Sequence, residues 1–153
     1  MDNEGKAMIR MALTEDLSVY LRQLLLDGTL KENGAICLIS EGRGQRGTRL
    51  LVTCALEVPA DAWEHQGDAM LRPSARFISS AVSQAITSGA GLMFVHSHPD
   101  PRFPIGFSQV DLSSFRTLAE TLSPMLDGSF AAAVVHPHGW AGVIWQGKSS
   151  GTN

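Results

Sequence analysis

A chain of 153 residues that is 44% hydrophobic and 18% charged is long enough to bury a sizeable core in one domain and too apolar to be disordered. A formal net charge of −3 and a pI near 5.9 provide no basic face for a phosphate backbone, so nucleic acid is not expected as a partner. Two cysteines, Cys37 and Cys54, sit inside apolar runs and read as buried strand thiols. The opening MDNEGKAMIR lacks the apolar stretch of a secretory leader, and no segment reaches a membrane span. The expectation is a soluble, cytoplasmic protein with no membrane contact, organised as one domain over residues 1–147 with a frayed tail over 148–153.

In chain order, Met8 to Leu13 reads as a short first strand. Thr14 opens a helix whose Glu15 and Asp16 suit the N-terminal dipole. Leu17, Leu21, Leu24 and Leu25 recur at i, i+4, i+7 and i+8 and form its inner face, with Gly28 as a stop. Ala35 to Ser40 and Leu50 to Val58 read as paired strands around the GRGQRG loop, and Pro59 to Arg72 as an irregular insertion. A second helix runs from Pro73 to about Ser88, with Phe77, Ala81, Ala85 and Ile86 facing inward and Gly89 and Gly91 ending it. The apolar run GLMFV is a strand that delivers His96 at its end. After a proline-rich loop, Ser108 caps a third helix to about Thr121, and Phe130 to His136 and Trp140 to Trp145 are the last strands. Alternating helices and strands predict an α/β or α+β domain around a central sheet.

The chemistry concentrates in VHSHP at positions 95–99 and SQVD at 108–111. Two histidines one residue apart at a strand end project to the same side. Asp111, one turn into the helix that Ser108 caps, can turn its carboxylate back toward them. Two imidazoles and one carboxylate suit Zn²⁺, and three protein ligands leave the fourth position open, as catalytic sites do. An isolated HxH says little; HSHP followed by SxxD is far more restrictive.

With Glu32 upstream, this pattern resembles the JAMM metalloprotease family, also called the MPN family. Its signature is a glutamate, then His-Ser/Thr-His-Pro, then Ser-x-x-Asp. The resemblance spans nearly the whole chain and implies an MPN fold: a central mixed sheet flanked by about three helices, layered as in cytidine deaminases. It implies that His96, His98 and Asp111 hold one zinc ion, that Glu32 is the catalytic proton carrier, and that Ser108 helps hold the oxyanion. Pro99 would restrict His98 and shape the turn that follows. Ser108 also reads simply as a helix N-cap, and both roles stay open. Glu41 and Glu57 compete with Glu32, but E32-N33-G34-A35-I36 stands where the family places its glutamate, just before the first hairpin strand. Twelve residues separate His98 from Asp111 where the family usually has ten, so the Asp100 to Phe107 loop carries two extra.

The resemblance further implies hydrolysis of a peptide or isopeptide bond after the C-terminal tail of a ubiquitin-like protein, for deconjugation or precursor processing. Short standalone prokaryotic members accompany E1-like and E2-like enzymes, including those of bacterial antiphage operons, and these become candidate partners by analogy. Processing of a sulfur-carrier protein, or release of a small amine from it, is an alternative within the same enzyme class. A metal-free MPN scaffold that only binds partners is an alternative of another class. Among weaker features, His136 and His138 in VVHPHGW read as an exposed turn, His65 as surface, and Arg43, Arg46 and Arg49 as a solvated hairpin tip. Phe103, Ile105 and Phe107 put three apolar groups in the loop beside the metal ligands, for packing or for substrate contact.

Overall fold

The fold is that of a computed structural model which describes residues 9–45, 47–59, 61–66 and 71–145. The tail expected to fray and Arg46 lie outside those residues, as do the side chains of Arg43 and His65. In chain order the elements are β1 (Ile9–Ala12), α1 (Glu15–Leu25), β2 (Gly34–Gly44), β3 (Gly47–Ala55), β4 (Trp63–Gln66), β5 (Leu71–Pro73), α2 (Ala75–Ser88), β6 (Gly91–Ser97), α3 (Gln109–Leu122), β7 (Phe130–His136) and β8 (Gly139–Trp145). Six strands form one mixed sheet in the order β1-β3-β2-β6-β7-β8, and β4 pairs with β5 alone. The β1–β3 and β6–β7 pairs are parallel and the other pairs in the large sheet antiparallel.

The central strands are apolar on both sides because helices cover both faces. Every residue of β6 and β7 is buried, the pattern of strands sandwiched between two layers. On one face Cys37, Ile39, Met93, Val95 and Val135 pack with Leu21 and Leu25 of α1. On the other, Ile36, Leu38, Leu92, Phe94 and Phe130 pack with Phe77 and Ala81 of α2 and Ala119 and Leu122 of α3. Leu21 and Leu25 are fully buried, and each such side chain contributes about 1.5–3 kcal/mol. Cys37 is likewise inaccessible, and burial pushes its thiol up to about 12, so it is a core residue and no nucleophile.

Local signals place the helix ends. Thr14, Ser74 and Ser108 each accept a backbone N–H three residues on as N-caps. Gly89 closes α2 in the left-handed conformation at φ 64°. Gly91 permits close approach: a Cβ there would run into the Ser129 carbonyl oxygen. Some expectations need correction. Leu24 and Ile86 are exposed, because α1 and α2 each meet the sheet along a narrower stripe than their periodicity suggested. The first hairpin strands extend to Gly44 and from Gly47, shortening the loop. The insertion expected to be irregular contains the β4–β5 pair.

Candidate metal centre

Strand pairing assembles the site. In the antiparallel β2–β6 pair Gly34 lies opposite His96, so continuing that register by one residue sets Asn33 against Ser97, and by two, Glu32 against His98. The bonds follow this alignment. Ser97 donates its N–H to the Asn33 carbonyl at 2.9 Å, and its Oγ accepts the Asn33 N–H at 2.9 Å. The Asn33 amide in turn donates to the Leu25 carbonyl at the end of α1 at 3.3 Å. On the other side the His98 N–H donates to the Val135 carbonyl at 2.9 Å, extending the β6–β7 pairing past the strand end. His96 and His98 thus leave a pinned backbone on the α2–α3 side of the sheet, while Ser97 faces the α1 side.

Asp111 arrives from the first turn of α3. Ser108 Oγ accepts the Asp111 N–H at 3.1 Å, and Asp111 Oδ2 accepts the Ser108 N–H at 2.9 Å, a reciprocal capping box. The helix N-terminus favours the negative charge. The same Oδ2 lies 3.4 Å from His96 Nε2 and 3.0 Å from His98 Nε2, and the two Nε2 atoms are 3.0 Å apart. Ligand atoms around a tetrahedral ion with bonds of 2.0–2.1 Å stand about 3.3 Å from one another. Three electron-rich atoms so close repel unless a proton or a cation lies between them. His96, His98 and Asp111 can therefore hold a metal ion, and among the described residues they form such a group.

The electrostatics agree with that donor set. Desolvation pushes the Asp111 carboxyl upward, but hydrogen bonds from His96, His98 and the Ser108 N–H outweigh it and hold the group well below the ordinary carboxylate range. The Asp111 hydrogen bond raises His98 above the usual imidazole value against the opposing effect of burial. Glu32 is buried, with Oε1 3.6 Å from His98 Nε2. Burial raises its carboxyl, and the neighbouring histidines moderate the shift. Glu41 accepts a hydrogen bond from Ser129 at 3.0 Å, near the start of β6, and Glu57 is exposed beyond β3. Of the three glutamates weighed, Glu32 is the one beside the cluster.

Two hollows meet at this point. One, of about 540 Å³, runs along α3 from Val110 to Thr121, with Trp63, Arg72 and Ile78 opposite. The other, of about 570 Å³, lies between Leu30, His98 and the lengthened loop. Glu32 lines both. The His96 ring stacks obliquely on Phe115 at 5.3 Å and Phe107 at 6.1 Å, so its inner side is dry. Its Nδ1 is buried with no hydrogen-bond partner among the described residues, unlike most ligating imidazoles.

The sequence reading missed four contributors. Phe115 follows Asp111 by one helical turn, a spacing that announces a shared face. Ser97 and Asn33 gave no local signal, since their partnership depends on the β2–β6 register. His136 was read as part of an exposed turn but is buried at 2%. It ends an all-buried strand, and its ring nitrogens are held by Phe103 and His138.

No family model and no curated protein match the chain. Among solved structures, the chain is similar to the solution structure of a protein from Desulfitobacterium hafniense. That match has a TM-score of 0.50 at 18% identity and covers 91% of this chain and 84% of the other. A solution structure from Salinibacter ruber matches with a TM-score of 0.39 at 20% identity, covering 89% and 81%. The first likeness is one of fold. Fold and site together define an α/β domain with a mixed six-stranded sheet and a three-ligand cluster able to bind a metal. Among the described residues no helix is long and apolar enough to cross a membrane.

Proposed function

We propose that the chain is a zinc-dependent hydrolase of the JAMM type, cleaving the peptide or isopeptide bond that follows the C-terminal tail of a ubiquitin-like protein. The observation that carries this reading is the buried carboxylate of Glu32 beside three convergent donors, 3.6 Å from His98 Nε2. A structural zinc site is closed by four ligands and needs no such neighbour. Helices on both faces of a mixed sheet suit the MPN layering that accompanies this assignment.

His96, His98 and Asp111 would hold the zinc, which when bound supplies a Lewis acid for polarising a carbonyl and acidifying water. Glu32 takes the proton from the attacking water and delivers it to the leaving amine. Burial raises its carboxyl in the metal-free protein, the direction that favours taking up a proton. Ser108 uses a lone pair of Oγ for the Asp111 N–H, which leaves its O–H to donate to the developing oxyanion. Capping and catalysis are compatible on one hydroxyl. The acyl side of the substrate lies in the hollow along α3. From Val110 to Thr121 this groove runs about 16 Å, the length of roughly five extended residues, and the β4–β5 pair beside it offers an edge for an added strand. A bacterial conjugation operon with E1-like and E2-like partners is the setting this activity suits.

The test is metal content by elemental analysis. Wild type and Glu32→Ala should carry about one zinc per chain, and Asp111→Ala should lose it. Fusions of ubiquitin-like proteins should then be cleaved by wild type and resist Glu32→Ala. A wild-type protein that takes up no zinc when supplied overturns the hydrolase reading in favour of a partner-binding scaffold.

A further inference from the structure

The hollow beside His98 has a wall that the hydrolytic steps do not use. Leu30, Phe103 and Ile105, which line it, are 56%, 63% and 44% exposed, and Pro104 and Phe107 complete an apolar surface. Several large apolar groups facing water around one concavity mark a contact site. Its ionisable lining is already committed: Glu32 and His98 belong to the metal cluster, and Asp100 is paired with the Arg102 guanidinium at 2.6 Å. A charged side chain entering here would find no partner.

This wall is also fixed. The Phe103 carbonyl lies 2.8 Å from His136 Nε2. His136 Nδ1 accepts the His138 N–H at 3.0 Å, so the ring proton resides on Nε2 and that nitrogen donates to Phe103. Arg22 of α1 clamps the same turn, donating to the carbonyls of His136 and Pro137 at 3.4 and 2.9 Å. Ile105 rests on the turn as well: a Cβ on Gly139 would come within 3.0 Å of Ile105 Cδ1. The lengthened loop is therefore a docked wall and not a slack lid.

We propose that this hollow is the subsite for the amine side of the scissile bond, that it takes a large apolar residue immediately after that bond in a linear peptide extension, and that His136 is a positioning residue for its wall. The proposal rests on the hydrolase reading and names its substrate class. An α-linked residue carries its side chain on the carbon next to the leaving nitrogen, close enough to Glu32 and His98 to reach the ring-lined wall. A lysine isopeptide offers a thin methylene stem whose far end is tied to a folded surface, and it leaves such a wall unfilled.

The experiment reads binding of the amine-side product and needs no turnover. Phe-Ala-Ala-amide, Ser-Ala-Ala-amide, Asp-Ala-Ala-amide and N-acetyl-Lys-Ala-amide are titrated into ¹⁵N-labelled, zinc-supplemented full chain, and backbone amide shifts are followed. The Phe peptide should shift Leu30, Phe103, Ile105 and Gly106 and bind about tenfold more tightly than the other three, the discrimination an apolar pocket provides. Ile105→Ser should erase that preference. His136→Phe, which cannot donate to the Phe103 carbonyl, should reduce it, and His136→Gln, which can, should restore it. Equal affinities, shifts confined to other residues, or tightest binding by the lysine peptide overturn the proposal. Failure of the hydrolase reading itself would show separately, as absent zinc in the elemental analysis.

Discussion

Ser97→Ala tests how Glu32 is brought to the metal ligands. Ser97 is fully buried; its hydroxyl accepts the Asn33 N–H at 2.9 Å and donates over a longer 3.4 Å to the Asn33 carbonyl. Alanine keeps the Cβ, so almost no apolar burial is lost, and the cost is that of stranding the half-buried Asn33 N–H, about 1–3 kcal/mol. For a domain of this size about 2 kcal/mol corresponds to a fall in Tm of roughly 4–8 °C. Denaturant unfolding of wild type and variant measures the first quantity, and exchange of the Asn33 amide, which should quicken, localises it. The hydroxyl touches none of the metal ligands, so zinc stoichiometry should hold while hydrolysis drops through the displacement of Glu32. A stability change below about 0.5 kcal/mol, with Asn33 exchange unaltered, would refute the view that this serine stitches the two segments together.

The metal-free protein should be most stable in a weakly acid window. Asp111 is depressed, so its contribution is complete above about pH 4 and is lost as pH falls through the lowered value. His98 is raised above 6.5, so its contribution is complete below 6.5 and is lost as pH rises through the raised value. Glu32 works in the same sense, because the cost of its buried charge is relieved as pH falls through its raised value toward 4.5. Melting temperature against pH should show this maximum, and Asp111→Asn should flatten it. Zinc affinity should run the other way on the alkaline side, weakening as pH drops through the raised His98 value, since ligation needs the neutral ring. Gly91→Ala should cost about 1–3 kcal/mol, because its Cβ meets the Ser129 backbone and that strand end cannot yield cheaply; an unchanged denaturation midpoint would contradict this close approach.

Much of the architecture is written locally. A capping residue, a helical stripe or an apolar run acts within a few positions, so the caps Thr14 and Ser108, the strands β6 and β7, and the donors His96, His98 and Asp111 could be read from neighbours alone. The second helix, expected from Pro73, instead starts at Ala75 behind a Ser74 cap, with Pro73 ending β5. The capping box even encodes how Asp111 turns, since Ser108 and Asp111 are three residues apart. The β4–β5 pair was less legible, because two short strands without a period look like loop until they find each other. Leu24 and Ile86 show the converse, apolar side chains in good helical phase that the neighbouring layer does not reach.

The sequence by itself thus determined the donor set and the elements that carry it, because each rests on chemistry confined to a few consecutive residues. The tertiary structure alone decided which partners meet across the sheet. The Gly34–His96 register brings Glu32, already favoured by its place before the first hairpin strand, within reach of His98, and it makes Ser97 and Asn33 partners although 64 positions separate them. The end of β7 buries His136 and turns it from a surface residue into the anchor of the Phe103 loop, 33 positions away. Such contacts follow from strand order and register, which are settled by how both faces of the whole sheet are buried.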